Sequence, residues 1–102
     1  MTMRFKSHPV RLHGVALRSL CEKVYERDHG QCIFCGRYVP EGSKPHHVKF
    51  KSRGGGDTED NLVMLCYECH FQVHHGMGKK VQEKAERLLA WLYDKGGQGD
   101  EV

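Results

Sequence analysis

Apolar residues recur at helical spacing in two parts of the chain. From Val15 to about Asp28 they form one stripe, and Gly30 stands where a helix with that stripe would end. A second stripe predicts a final helix over about residues 79–94, which we expect to pack on the first helix and on the cysteine turn at 31–37. Its apolar positions are Val81, Ala85, Leu88, Leu89 and Leu92, with Trp91 at the edge.

Between these helices the pattern changes to short apolar runs. Residues 44–51 and 61–65 predict two strands. They are joined by a loop at 52–60, where three consecutive glycines exclude regular structure. Residues 67 to about 76 then continue as a helix, with Cys66 at its start. The predicted order is strand, loop, strand, helix, which places the chain in the α+β class.

The predicted elements occupy one small domain at about residues 15–95, with its core at about 44–76. A chain of 102 residues buries little apolar surface, and domains of this size commonly add a metal or disulfides. Residues 1–14 show no period and predict a basic arm, which either follows a phosphate backbone or simply frays. Residues 96–102 predict a loose tail.

Four of the five cysteines form two CxxC pairs, which match the ligand number and spacing of a closed structural zinc site. The alternatives are two reduced pairs that never meet, or a redox pair, which would be expected near a βαβ pattern that this chain lacks. A closed site leaves no position for substrate, so this zinc would stabilise the fold. We expect the fifth cysteine, Cys21, to be a buried apolar residue of the first helix. The four paired residues are Cys32, Cys35, Cys66 and Cys69.

Four histidines have spacings that suit a second site. His70 and His74 lie four residues apart on the predicted helix, so both project from one face. His46 and His47 are adjacent on a predicted strand and should point to opposite faces. One of this pair can therefore bind a metal while the other stays free as a base. The alternative is that these histidines are ordinary surface residues of a polar chain.

The net charge and the lengths of the apolar runs indicate which partners and which cellular compartment to expect. The net charge is +3 and the pI is near 8.6, a mild excess compatible with a polyanionic partner. No apolar run resembles a signal peptide or reaches the roughly 20 residues that span a membrane. We therefore expect a cytoplasmic protein without a membrane partner. The basic residues near the histidine pair are Lys44, Lys49, Lys51 and Arg53.

The stretch HHVKFKSRGGGDTEDNLVMLCYECHFQVH, residues 46–74, resembles the HNH nuclease motif, also called the ββα-metal fold. Its second half, NLVMLCYECH, is similar to the NL-x-x-LC-x-x-CH of bacterial and phage HNH proteins that carry two CxxC pairs. The HH…N…H-x3-H layout is also similar to the DNase domains of colicins. The resemblance covers about residues 20–75. It implies a small ββα-metal domain with flanking helices and a structural zinc held by four cysteines.

The resemblance also implies roles for the polar residues. His46, His70 and His74 would bind a catalytic divalent metal that bridges the scissile phosphate. His47 would be the general base, and Asn61 would orient it through hydrogen bonds with the loop. Many relatives have Asp or Glu where His46 stands. A set of three imidazoles is softer, which makes Zn²⁺, Ni²⁺, Co²⁺ or Mn²⁺ plausible beside Mg²⁺.

The implied function is a metal-dependent DNA endonuclease that hydrolyses phosphodiester bonds, nicking or cleaving duplex DNA. Its setting would be a phage or bacterium, with phage packaging or restriction components as further partners and the host cytoplasm as its place if phage-encoded. The alternative is a non-catalytic zinc module that binds nucleic acid or protein. Such a module needs the cysteines but has no use for the histidines and Asn61 together. The expected phosphate contacts are Lys49, Lys51, Arg53 and Arg37.

Overall fold

The computed structural model describes residues 10–93, where it shows three α-helices, one two-stranded antiparallel sheet and two 3-10 turns. The α+β class and the order strand, loop, strand, helix are confirmed. Most of the predicted basic arm and all of the predicted 96–102 tail lie outside the described residues. The elements are α1 (Gly14–Arg27), β1 (His46–His47), 3-10 turns at Lys51–Arg53 and Glu59–Asn61, β2 (Leu62–Val63), α2 (Tyr67–His74) and α3 (Lys79–Tyr93).

Both strands are much shorter than the apolar runs predicted. His46 pairs with Val63, and His47 pairs with Leu62. The ladder ends soon afterwards because the Lys49 backbone bonds to the Asn61 side chain instead of to the backbone of a paired strand. Its Oδ1 accepts from the Lys49 amide at 2.7 Å, and its Nδ2 donates to the Lys49 carbonyl at 3.1 Å. The predicted strands at 44–51 and 61–65 are therefore wrong in length, although each observed strand lies within its predicted range.

The segment from Leu62 to Leu65 is buried along its whole length rather than on alternate residues. Such a continuous run is expected where a strand is covered on both faces. The C-terminal end of α1 anchors it through a pair of charged side chains. The buried Asp28 carboxylate accepts from the Met64 amide at 2.9 Å, and Arg27 donates to the Leu62 carbonyl. Arg27 and Asp28 also pair with each other, so neither charge is buried alone.

Helix α3 covers the other side of the core. Val81, Ala85 and Leu89 of its predicted stripe are buried, whereas Trp91 is 79% exposed. The helix packs chiefly against α2 and the Glu59–Asn61 turn rather than against α1, so its expected packing on the first helix is a minor part of its contacts. Within residues 10–93, no helix has the length and apolar character needed to cross a membrane.

Candidate active site and thiolate cluster

Four cysteine sulfurs converge where the turn after α1 meets the start of α2. One ligand atom from each lies within 4.8 Å of the others, and Cys35 Sγ is 3.6 Å from Cys66 Sγ. Cys66 is the N-cap of α2, and Cys69 lies in the first turn of that helix. The two CxxC pairs therefore meet, as the zinc interpretation requires. The cluster consists of Cys32, Cys35, Cys66 and Cys69.

The surroundings of these thiols suit a bound cation. Burial opposes ionisation of Cys32, but backbone amides of Cys35, Cys66 and Phe34 outweigh it and lower the pKa of Cys32 to about 7. Burial and the neighbouring sulfurs raise the pKa of Cys69. One thiolate therefore forms readily, whereas each further thiolate is disfavoured by repulsion between the negative charges. A cation among the sulfurs removes that repulsion, and four thiolates at this separation are the donor set that Zn²⁺ prefers.

A second cluster lies at the open edge of the sheet. Ring nitrogens of His46 on β1 and of His70 and His74 on α2 lie within 4.8 Å of one another. The Nε2 atoms of His70 and His74 are 3.0 Å apart, as one helix turn between them predicts. His46 is 2% exposed, whereas His74 faces solvent, so the trio is anchored at one end and open at the other. The adjacent His75 stacks on Phe71 instead.

The trio is arranged to offer uncharged imidazoles. Burial, helped by the neighbouring histidines, lowers the pKa of His46 to about 4 even though a hydrogen bond to Gln82 opposes the shift. Burial and the nearby His74 also lower the pKa of His70. Neutral imidazoles carry the lone pairs that metal ligands need at neutral pH. The residues present therefore fit a divalent cation.

Gln82 of α3 sets the orientation of His46 and was not predicted from the sequence. Its amide nitrogen donates to the Val48 carbonyl, so its Oε1 is left to accept from His46 Nε2 at 3.2 Å. That bond leaves Nδ1 of His46 with the free lone pair. Partners of this kind fix the tautomer of metal-binding histidines. No sequence signal pointed to Gln82, because it lies 36 residues away on the polar side of a helical stripe.

His47 has a separate environment. Its Nε2 lies 2.7 Å from Oδ1 of Asp57, a carboxylate that is 5% exposed. Asp57 was assigned from the sequence only to the glycine-rich loop. An acidic residue in a loop is usually solvated, so nothing in the pattern distinguished it from Asp60.

Asn61 contacts the loop rather than His47. Besides its two bonds to Lys49, its Nδ2 donates to the Gly56 carbonyl at 3.1 Å. Gly55 lies so close to Lys49 that an added Cβ would stand 1.7 Å from the Lys49 carbonyl oxygen. Asn61 therefore ties the two ends of the loop together, and Asp57 at the far end of that loop contacts His47. This is the geometry through which Asn61 would influence His47.

A groove of about 1330 Å³ extends from the histidine residues to the N-terminal half of α1. Its lining residues include His46 and His47 of β1 together with Leu17 and Cys21 of α1. The expectation that Cys21 is buried is therefore wrong. Its side chain is half-buried on the groove wall, because α1 turns only its Leu20 and Val24 face fully into the core.

The predicted phosphate contacts occupy different settings. Lys49, Lys51 and Arg53 are exposed on the loop after β1, and Lys51 also lines the groove. Arg37 instead pairs with Glu68 at 3.0 Å on the surface near the cysteines. An exposed pair of this kind is weak because water screens it, so it leaves the Arg37 charge largely available.

A short antiparallel sheet and a helix that together present three imidazoles beside a four-cysteine cluster define the ββα-metal class of nuclease domain. Comparison with known proteins agrees, since residues 32–76 match the family model described as HNH endonuclease. The chain carries an HNH endonuclease domain over these residues.

Two relatives of the chain are a bacterial protein and a phage protein. The chain is 34% identical over 92 residues to the type IV methyl-directed restriction enzyme EcoKMcrA of Escherichia coli K12, a match that covers 81% of the chain and 31% of that enzyme. It is 42% identical over 43 residues to the probable mobile endonuclease C of Enterobacteria phage T4, covering 42% of the chain and 20% of that protein. The chain thus spans about a third or less of the length of these relatives.

Proposed function

We propose that this protein is a metal-dependent endonuclease that hydrolyses phosphodiester bonds in duplex DNA, acting in the cytoplasm of a bacterium or of a phage-infected host. The observation that carries the proposal is the open trio of His46, His70 and His74 beside a separately held His47. The HNH family match supports a nuclease, and the names of both relatives agree with it. Restriction or mobile-element functions fit those names, and other components of such systems would be its partners.

In this proposal the polar side chains of the site have separate roles. His46, His70 and His74 hold a divalent cation, which when bound supplies stabilisation of the charge that develops on the phosphate and the leaving oxygen. His47 takes the proton from the attacking water. Asn61 keeps the loop beside His47 in place. As the family resemblance implies, the cut leaves 5′-phosphate and 3′-hydroxyl ends.

The donor atoms suggest which cations serve each cluster. The four thiolates suit Zn²⁺, which stabilises the fold there because a closed set leaves no position for substrate. Three imidazoles without a carboxylate favour borderline ions, so Zn²⁺, Ni²⁺, Co²⁺ and Mn²⁺ join Mg²⁺ as candidates for the catalytic ion.

The competing function is a non-catalytic zinc module that binds nucleic acid or protein. Such a module accounts for the cysteine cluster and for the exposed basic residues. It does not account for three imidazoles whose ring nitrogens converge, nor for a fourth histidine hydrogen-bonded to a buried carboxylate.

A plasmid-nicking assay tests the proposal. Supercoiled DNA is incubated with the protein and one of a series of divalent ions, with and without EDTA. We expect conversion to nicked or linear DNA that EDTA abolishes and an added ion restores, while the His47→Ala protein purified in the same way cleaves far more slowly. Equal nicking by both proteins would indicate a contaminant. DNA binding without cleavage under every ion would favour the zinc module.

Phosphate binding by the loop after β1 gives a separate prediction. Replacing Lys49, Lys51 and Arg53 with Ala should weaken binding to all DNA sequences and reduce the slope of log affinity against log salt by about one unit per lost contact. The measurement is fluorescence anisotropy with a duplex across a salt series. The matched control replaces Lys80, Lys84 and Arg87, which are exposed on α3, and removes the same charge. An equal loss of slope in both variants would mean that only the net charge matters.

A further inference from the structure

We propose that Asp57 is a positioning residue for His47, and that its carboxylate keeps the imidazole proton on Nε2 so that Nδ1 is the basic atom. This inference rests on the proposed function, because it concerns how the general base of that reaction is held. It adds a residue to the site that neither the motif nor the sequence pattern assigns.

The hydrogen bond itself determines the tautomer. His47 Nε2 and Asp57 Oδ1 are 2.7 Å apart, a short distance typical of a bond to a charged acceptor. An ionised carboxylate has acceptors only, so the proton in this bond belongs to Nε2. A neutral imidazole carries a single N–H, and its lone pair then lies on Nδ1. His47 is thereby prepared to take a proton at one defined atom.

Asp57 is held from several sides. Its Oδ2 accepts from the Leu12 amide at 3.0 Å, and its own amide donates to the Val10 carbonyl at 2.8 Å. Burial by itself raises the pKa of the Asp57 carboxyl, but the bonds from His47 and the Leu12 amide outweigh burial, and the pKa lies below its usual value. The carboxylate is therefore ionised at neutral pH and both of its oxygens are engaged.

The segment before α1 completes this arrangement. Arg11 donates from Nη1 to the Gly55 carbonyl at 2.6 Å, and the same atom lies 3.9 Å from Asp57 Oδ1. Part of the predicted basic arm thus contacts the active-site loop. The competing interpretation is that Asp57 only anchors residues 10–12 to the loop and does not affect which ring nitrogen of His47 carries the proton. The two interpretations differ in what happens to His47 when the carboxylate becomes an amide.

The decisive variant is Asp57→Asn, which keeps the size and removes the charge. Its amide oxygen can still accept from the Leu12 amide, and its NH₂ group then faces His47. Two donors cannot share a hydrogen bond, so the imidazole proton should move to Nδ1. We expect the cleavage rate at saturating DNA and metal to fall about 10²- to 10⁴-fold, the range for a general base that is lost or held in the wrong tautomer.

The same variant should leave binding almost unchanged. The DNA concentration that gives half the maximal rate should stay within about threefold, because a base that acts only on the reacting proton contributes to the rate rather than to affinity. The matched control is Asp60→Asn, three residues along the same loop. Asp60 is largely solvent-accessible and bonds to Thr58, so its variant loses the same charge and should cleave normally.

A spectroscopic measurement tests the tautomer without relying on catalysis. Two-bond ¹H–¹⁵N spectra at about pH 8, where a free imidazole is uncharged, report which ring nitrogen carries the proton. The His47 signals are identified by their absence in His47→Gln. We expect Nε2–H in the wild-type protein and Nδ1–H in Asp57→Asn.

The outcomes separate this proposal from the proposed function. A wild-type His47 with its proton on Nδ1, or an Asp57→Asn protein that cleaves at the wild-type rate, would overturn the positioning role and leave the nuclease intact. A rate loss in Asp57→Asn with an unchanged tautomer would also overturn it and leave Asp57 as an anchor. A wild-type protein that cleaves no DNA under any ion contradicts the nuclease, while the spectra still decide how His47 is held.

Discussion

His47→Ala should reduce the rate of DNA cleavage by about 10²- to 10⁴-fold, the range for loss of a general base. The side chain lies outside the trio of His46, His70 and His74, and its hydrogen bond goes to Asp57 instead. Its removal should therefore leave metal binding and DNA affinity close to those of the wild-type protein. Single-turnover cleavage measures the rate, and calorimetric titration with the divalent ion measures binding.

His46→Ala is the matched comparison, because it removes the same side chain one residue away. His46 is buried and belongs to the trio, so this variant should weaken binding of the catalytic ion. The loss should exceed the roughly 10- to 100-fold that removal of an outer-shell partner costs, and excess metal should partly restore cleavage. If His47→Ala loses the metal while His46→Ala retains it, the roles of base and ligand are reversed. Normal cleavage by both variants would contradict the nuclease.

Cys66→Ser should leave the protein largely unfolded. Cys66 is 5% exposed and is the N-cap residue of α2, and its Sγ atom lies within 4.8 Å of the Sγ atoms of the other three cysteines. In a domain this small, the binding free energy of a structural zinc is part of the folding free energy, and its loss costs several kcal/mol against a total of about 5–15 kcal/mol. Far-ultraviolet circular dichroism and bound-zinc analysis of the purified variant measure the effect.

The control for this substitution is Cys21→Ser. Cys21 is half-buried on the groove wall, outside the cysteine cluster, so the same chemical change there should alter the thermal midpoint only slightly and leave the zinc content at the wild-type value. A folded, zinc-free and active Cys66→Ser protein would show that the fold does not depend on a structural metal.

Local sequence signals predicted the helices well. Helix α1 lies at Gly14–Arg27 and α3 begins at Lys79, close to the ranges that their apolar spacing indicated. The predicted strands were too long because a run of apolar residues indicates burial rather than backbone pairing. Val63 and Leu65 are both buried, yet the ladder extends only over Leu62–Val63. Whether a buried residue also pairs depends on what lies beside it, and here the Asn61 side chain takes the place of a strand.

Residue spacing was enough to predict two groups of side chains that the fold brings together. The spacings of the two CxxC pairs and of His70 and His74 are properties of the local chain, and short-range geometry brings such neighbours together wherever the fold places them. How His46 and His47 are held depends instead on long-range packing. Gln82 reaches His46 from another helix, and Asp57 reaches His47 from a loop that the segment at 10–12 fastens. These partners are polar residues that become distinctive only once they are buried, and their burial depends on how distant parts of the chain pack together.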